Sequence, residues 1–231
     1  MGRCESSFIH LPDLGAKLYN LLMSGKGAIL QYREIAQRLV AATRGGRWLD
    51  IGTGPGRLLA EIHKLDSEIE LFGLDIAASM VELAGNNLRG INADLRLGNI
   101  RSTDYDDDFF DLVTCSGSFY LWDEPEEGLA EIFRILKPSA SAYLFESHRN
   151  YNKSEFNRAL KQNLAEKNLL RKMISPFFLR KQLRMTYTHE EVEAIVKRTH
   201  FDGSYRITPI SLAGLPVWLE IKLTKQIKIG E

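Results

Sequence analysis

The stretch WLDIGTGPGRLLAEI, Trp48 to Ile62, runs a short apolar segment into three alternating glycines, Gly52, Gly54 and Gly56, and then into a leucine-rich segment. Glycine interrupts ordered elements where the backbone must bend sharply or where another group must come very close. Three alternating glycines behind a buried-strand pattern exceed what a tight turn needs. A glycine-rich loop between the first strand and its helix is where doubly wound sheets bind nucleotides. Gly52 permits the turn, and Gly54 lets backbone approach a ligand with no side chain between.

Outward from this loop the pattern alternates. Leu14, Leu18, Leu21 and Leu22, then Ile29, Tyr32, Ala36 and Leu39, carry helical spacing and predict two helices ahead of the strand RWLDI. Leu58, Leu59, Ile62 and Leu65 follow at helix spacing. EIELFGLDI is the next strand, and Ala77, Val81, Ala84 and Leu88 line the next helix. INADLRLGN and FFDLVTCS read as strands, the second preceded by the acidic loop STDYDDD. Asp123 and Pro125 predict an N-cap and first turn for a helix carrying Leu129, Ile132, Phe133 and Leu136, ended by Pro138. SAYLFES is the fifth strand. A long polar helical segment covers roughly residues 152–183, and Thr188 with Glu191 predicts a capping box for a helix carrying Val192, Ile195 and Val196. SYRITPI and PVWLEIKL, joined through SLAGL, read as a closing antiparallel hairpin. The rhythm predicts an α/β fold, a doubly wound, mostly parallel seven-stranded sheet with an antiparallel C-terminal hairpin.

A chain of 231 residues fits one domain with a proper core, so residues 1–231 are read as a single unit. Formal net charge is zero, which removes any global electrostatic argument for nucleic acid. Two cysteines, Cys4 and Cys115, support neither a disulfide framework nor a cysteine-rich zinc site. No apolar run reaches membrane-spanning length and no secretory leader is evident, so a cytoplasmic protein is expected. MGRCES matches a myristoylation pattern through Gly2 and Ser6, a motif short enough to arise by chance.

A dinucleotide fingerprint G-x-G-x-x-G would need glycine where Arg57 stands. The run here is D-x-G-x-G-x-G, and DIGTGPG resembles the first motif of the class I S-adenosylmethionine-dependent methyltransferases, as the quinone-biosynthesis group carries it. The resemblance implies a Rossmann-like fold with S-adenosyl-L-methionine as cofactor and S-adenosyl-L-homocysteine as product. It assigns Asp50, Gly52 and Gly54 to the methionine part of the cofactor. Asp75, about twenty residues past the loop, is placed to accept hydrogen bonds from ribose hydroxyls, and an N-cap role for the next helix is compatible with that. By the same resemblance Ile76 lies against the adenine, Asn99 and Ile100 read it, and the backbone of Ser116 faces the methionine. Tyr19 resembles the tyrosine of an N-terminal lid, expected over residues 1–45. The resemblance covers roughly Lys17 to Glu146 and the closing hairpin.

Methyl transfer needs alignment, exclusion of water and, for a protonated nucleophile, a base. That base is expected at the carboxyl ends of the fourth and fifth strands. His148 is the candidate by intrinsic pKa, and Tyr120 is the second. Trp122 and Glu146, with Phe177 and Phe178, are expected to contact the acceptor. The stretch TCSGSFY at the end of the fourth strand lacks the sequence patterns of base-modifying enzymes, and no histidine–carboxylate cluster suggests a metal. A small-molecule acceptor is therefore expected, with no nucleic acid and no membrane span. A silent cofactor-binding regulatory protein, or aminopropyl transfer on the same loop, are the alternatives. Residues 149–187 are expected to form a helical cap. Its basic side chains, Lys153, Arg158, Lys161, Lys167, Arg171, Lys172, Arg180 and Lys181, are read first as a solvated face or one paired with the protein's own acidic loops.

Overall fold

Each apolar run of the first half becomes a strand of one sheet, in a computed structural model that describes residues 26–164 and 179–226. Strands β1 (Arg47–Ile51), β2 (Glu70–Asp75), β3 (Ala93–Leu97), β4 (Phe110–Ser116) and β5 (Leu136–Ser147) are parallel. Strands β6 (Tyr205–Leu212) and β7 (Leu215–Thr224) form the hairpin, with β7 antiparallel to β5. The seven strands lie in the order β3-β2-β1-β4-β5-β7-β6. Six helices are bounded within the described residues: α1 (Lys26–Ala42), α2 (Arg57–Leu65), α3 (Ala78–Asn87), α4 (Pro125–Ile135), α5 (Lys153–Leu164) and α6 (His189–Val196). Residues 179–185 are also helical. No described helix is long and apolar enough to cross a membrane.

The central strands bury both faces, which is why they read as continuous apolar runs. Trp48 joins Ile35, Leu39, Leu58, Ile62, Phe145 and Phe156 on one side of the sheet. Leu49, its neighbour, joins Leu129, Ile132, Leu144, Val192 and Ile221 on the other. α1 contributes Ile35, Ala36 and Leu39, all fully buried, so this helix belongs to the core. Ile35 and Leu39 each contribute about 1.5–3 kcal/mol by leaving water. α1 lies within residues 1–45, over which a lid is expected. The part ahead of α1, with Tyr19, lies outside the described residues, as do Phe177, Phe178, Cys4 and the MGRCES motif.

Several boundaries differ from the sequence reading. Glu124 occupies the N-cap of α4, without a side-chain cap bond, and Pro125 opens the helix; Asp123 is outside it. The helix ends at Ile135, and Pro138 stands inside β5, beside a register shift between Phe110 and Leu112 of β4. That irregularity admits a residue lacking an amide donor. Leu65 is exposed at the end of α2. The hairpin connection is shorter than SLAGL. Ala213 and Gly214 alone form the turn, both at positive φ, as a two-residue type I′ turn requires. The Ala213 amide donates to Glu34 at 2.8 Å and ties the hairpin to α1. The capping box stands as expected: Thr188 Oγ1 accepts the Glu191 amide at 3.1 Å, and Glu191 accepts the Thr188 amide at 2.8 Å.

The acidic loops pair with cations outside the cap. Asp104 meets Arg96, Asp107 meets Arg134, Asp108 meets Lys225 and Asp111 meets Lys137. Glu126 pairs with Arg198 and Glu127 with Arg101. The described basic residues of the cap take no part, which corrects the reading that they pair with these loops.

Candidate functional site

The chain crosses from one side of the sheet to the other at β1, which lies between β2 and β4. Ligands of open α/β sheets bind at the carboxyl ends of strands at such a switch point. There the loop after β1 is held by its neighbours: the amides of Gly52 and Thr53 both donate to the Leu74 carbonyl, at 2.8 and 3.1 Å.

The glycines answer to different neighbours. A side chain on Gly52, at φ 66°, would start 2.2 Å from Ser118 Oγ. One on Gly56 would start 2.9 Å from Leu88, where α2 meets α3. Gly54, at φ 52°, would meet no protein atom closer than 4.0 Å. Close internal packing thus accounts for Gly52 and Gly56, and Gly54 faces open space.

Around that space, buried polar atoms lack partners. Asp50 Oδ1, Thr53 Oγ1 and Ser116 Oγ are buried without a hydrogen bond. A buried unsatisfied polar atom costs about 1–3 kcal/mol, so a group of them marks a place prepared for a ligand. Asp50 is 2% exposed. Burial pushes its pKa up to about 7, with Asp75 nearby adding to the rise and Thr53 opposing it. Asp75 accepts the Gly54 amide at 2.8 Å through Oδ2 and the Ala77 amide at 2.9 Å through Oδ1. Burial raises its pKa against the pull of these amides. It is not the N-cap of α3, which is Ala77.

Beside Asp75, Ile76 is 46% exposed, an unusual placement for isoleucine within a fold and one that suits a flat apolar ligand. Asn99 is exposed, and its Oδ1 accepts the Arg101 amide at 3.0 Å, which leaves a second lone pair. Ile100 is buried in the core, against the α4 side of the sheet.

Past β4 the chain turns at Gly117 and enters a short 3₁₀ turn, Phe119–Leu121. Glu146, fully buried at the end of β5, accepts the Tyr120 amide at 3.2 Å and the Ser147 amide at 2.9 Å. Burial pushes its carboxyl up to about 8, against the lowering effect of these amides. It was expected to contact the acceptor; its carboxylate instead holds the turn that presents Tyr120. Tyr120 and Trp122 are half-buried, and Trp122 packs edge-on to Phe119 at 5.1 Å.

His148 is 8% exposed, its amide bonded to the Val217 carbonyl at 2.9 Å and its Nδ1 buried without a partner. Burial lowers its pKa, His189 lowers it further, and Glu190 opposes. The thiol of Cys115 is pushed far up by burial and is a core residue rather than a nucleophile. Among the described residues no three His, Cys, Asp or Glu side chains converge as metal ligands would.

Two participants escaped the sequence reading. Thr53 was passed over between its glycines, although a hydroxyl there has few other reasons to be buried. Trp218, in the alternating run PVWLE, reads as an ordinary strand residue. Its indole edge lies 4.0 Å from where a Gly117 side chain would begin, and its Nε1 is buried without a partner.

A family model described as a methyltransferase domain matches residues 49–139, from β1 into β5. The uncharacterized methyltransferase YdaC of Bacillus subtilis is 28% identical over 121 residues, 52% of this chain and 66% of that protein. Demethylmenaquinone methyltransferase of Deinococcus radiodurans is 30% identical over 117 residues, 50% of this chain and 48% of that one. The matched stretch thus spans about half to two thirds of these relatives. In fold, a SAM-dependent methyltransferase from Aquifex aeolicus aligns with a TM-score of 0.66 at 17% identity, covering 93% of this chain and 99% of that one. The plantazolicin methyltransferase BamL, solved with SAH and a desmethyl analogue, aligns with a TM-score of 0.70 at 16% identity, covering 93% and 91%. Motif, domain match and sheet topology agree: residues 49–139 match a methyltransferase domain, on a sheet whose fold is that of S-adenosylmethionine-dependent methyltransferases.

Proposed function

We propose that the protein transfers a methyl group from S-adenosyl-L-methionine to a small-molecule acceptor. The observation that supports this most is the group of unpartnered buried atoms, Asp50 Oδ1, Thr53 Oγ1 and Ser116 Oγ, beside the open backbone of Gly54. Their chemistry suits an amino acid moiety, a cation with hydrogen-bond donors next to a carboxylate. When bound, the cofactor supplies an electrophilic methyl group on sulfur. Asp50 would accept from the ammonium, and Thr53 and Ser116 would complete the polar lining. Each oxygen of Asp75 has a lone pair left for a ribose hydroxyl after accepting its amide. Ile76 would cover the adenine and Asn99 would accept from its amino group.

His148 is the proposed base. Its lowered pKa keeps the imidazole neutral at neutral pH, with one ring nitrogen free to take a proton from an acceptor hydroxyl. Tyr120 and Trp122 would wall the acceptor, with Glu146 fixing the turn that carries them. The relatives named for menaquinone and plantazolicin substrates favour a small acceptor, and the two cysteines suit the cytoplasm.

The test has two steps. Calorimetry should give binding of S-adenosyl-L-homocysteine and none of NAD. Incubation with S-adenosyl-L-methionine and a panel of phenols, thiols and amines should then add the mass of one methylene to an acceptor. Cofactor binding without transfer to any acceptor would favour a silent binding protein, and transfer of a larger group would favour aminopropyl chemistry.

A further inference from the structure

We propose that the solvent face shared by α5 and residues 179–185 docks on an anionic membrane surface. α5 buries Phe156, Ala159 and Leu160 and turns Lys153, Arg158 and Lys161 to solvent. Residues 179–185 bury Leu183 and expose Arg180, Lys181 and Arg184. The two segments adjoin, since Arg180 donates to Asn157 Oδ1 at 3.1 Å. Among the described residues none of these six cations has a carboxylate partner, and Glu155 is the acidic side chain on the same stretch of α5. Arg149, at the edge of the cap, is paired with Glu191.

In a chain of zero net charge, gathering these cations on one face makes that face locally positive, the condition for electrostatic attraction to an anionic partner. The acidic loops that might have covered it are engaged by Arg96, Arg134, Lys137, Lys225, Arg101 and Arg198. Clusters of about four to eight Lys and Arg on an amphipathic helix suit anionic lipid headgroups. Lys153 and Lys161 stand about 12 Å apart along the helix axis, more than the Debye length of roughly 8 Å, so each meets an anionic surface as a largely separate charge.

The face carries six exposed cations spread over two segments, more than one small anion would engage. Among the exposed large apolar side chains is Met185, 49% exposed beside Arg184, and it can enter the headgroup layer. Among the described residues at α5, Phe156 is buried and Tyr151 packs tilted against it at 4.8 Å, so neither ring is offered as an open platform for nucleic-acid bases. These features favour lipid over nucleic acid.

The test uses the full chain and sedimentation with vesicles of phosphatidylcholine, with and without phosphatidylglycerol, at low and high salt. Binding should require phosphatidylglycerol and be released by salt. Each cation near an anionic surface strengthens binding about fivefold. The variant carrying Lys153→Gln, Arg158→Gln and Lys161→Gln should therefore bind about a hundredfold more weakly. Its affinity for S-adenosyl-L-homocysteine should be unchanged, which separates docking from folding and from the cofactor reading. Failure of the wild-type chain to sediment with anionic vesicles overturns the proposal. So does tighter binding to single-stranded or duplex oligonucleotides than to vesicles, or vesicle binding that survives the triple substitution.

Discussion

Asp75 holds the amide of Gly54 at 2.8 Å, so the carboxylate at the end of β2 fixes the position of the open glycine after β1. One residue thereby links two parts of the proposed cofactor site, the loop and the ribose position. Substituting it should affect both. Asp75→Ala should weaken S-adenosyl-L-homocysteine binding by about 1–3 kcal/mol, the cost of removing a charged acceptor from buried donors. Amide exchange at Gly54 should quicken in the same variant. Unchanged affinity by calorimetry would remove Asp75 from the cofactor site and leave it a loop anchor.

Asp50 makes a pH-dependent prediction. Its pKa in the free protein is about 7, raised by burial. An ammonium placed beside it favours the charged form, so cofactor binding should release a proton near pH 6.5. Affinity should then rise as pH increases through 7. Calorimetry in two buffers of different ionisation enthalpy measures the released proton, and Asp50→Asn should abolish it. An equal heat in both buffers for the wild-type protein would argue that Asp50 is already charged or does not meet the cation.

Glu146 predicts an effect on stability. Its carboxyl lies near 8 in the folded protein against 4.5 for the free side chain. Between those values the folded state keeps a proton that the unfolded state has lost. The stabilisation is complete below about pH 4.5 and is lost as pH rises to about 8, by roughly 5 kcal/mol. Glu146→Gln should flatten this fall in urea titrations run across the interval. The same slope in the variant would place the titration elsewhere, with Asp50 the next group to substitute.

The strands and the loop were legible because burial on both faces forces continuous apolar runs and because the glycines sit at a strand end. RWLDI, for instance, is β1 without adjustment. What escaped were contacts set by distant chain. Leu65 has the spacing of a core residue, yet the last turn of α2 extends past the sheet and leaves it exposed. Pro138 signals a helix end, yet it is the bulge opposite Phe110 and Leu112 that admits it into β5. Glu146 lies in an apolar strand like a substrate ligand. Its part is to bind the amide of Tyr120, twenty-six residues earlier, which no local pattern encodes. The cap's basic residues matched the acidic loops in sign, and only the fold shows which cations reach those loops first.

α1 makes a prediction about motion. With Ile35, Ala36 and Leu39 fully buried against Trp48 and the leucines of α2, this helix is part of the core. Their amides should exchange slowly with or without cofactor. Leu39→Ala should cost about 2–5 kcal/mol of stability, as buried large-to-small substitutions do. Fast exchange of these amides in the free protein, slowed by S-adenosyl-L-homocysteine, would instead make α1 part of a closing lid.

His148 decides the chemistry. Nδ1 is buried without a partner at the carboxyl end of β5, and its pKa lies below the ordinary imidazole value because of burial and His189. If it takes the acceptor's proton, His148→Ala should lower the single-turnover methylation rate about a hundredfold or more. Cofactor affinity should stay unchanged, since the residue stands beyond β4 from the loop. The wild-type rate should fall at acid pH with a limb below the usual histidine range, as protonation of the imidazole removes the base. That limb should vanish in His148→Ala, leaving a slow rate that follows the acceptor's own ionisation. A variant that keeps both the rate and the acidic limb would show that the acceptor reaches the methyl group as an anion, and His148 would then be a packing residue beneath α6.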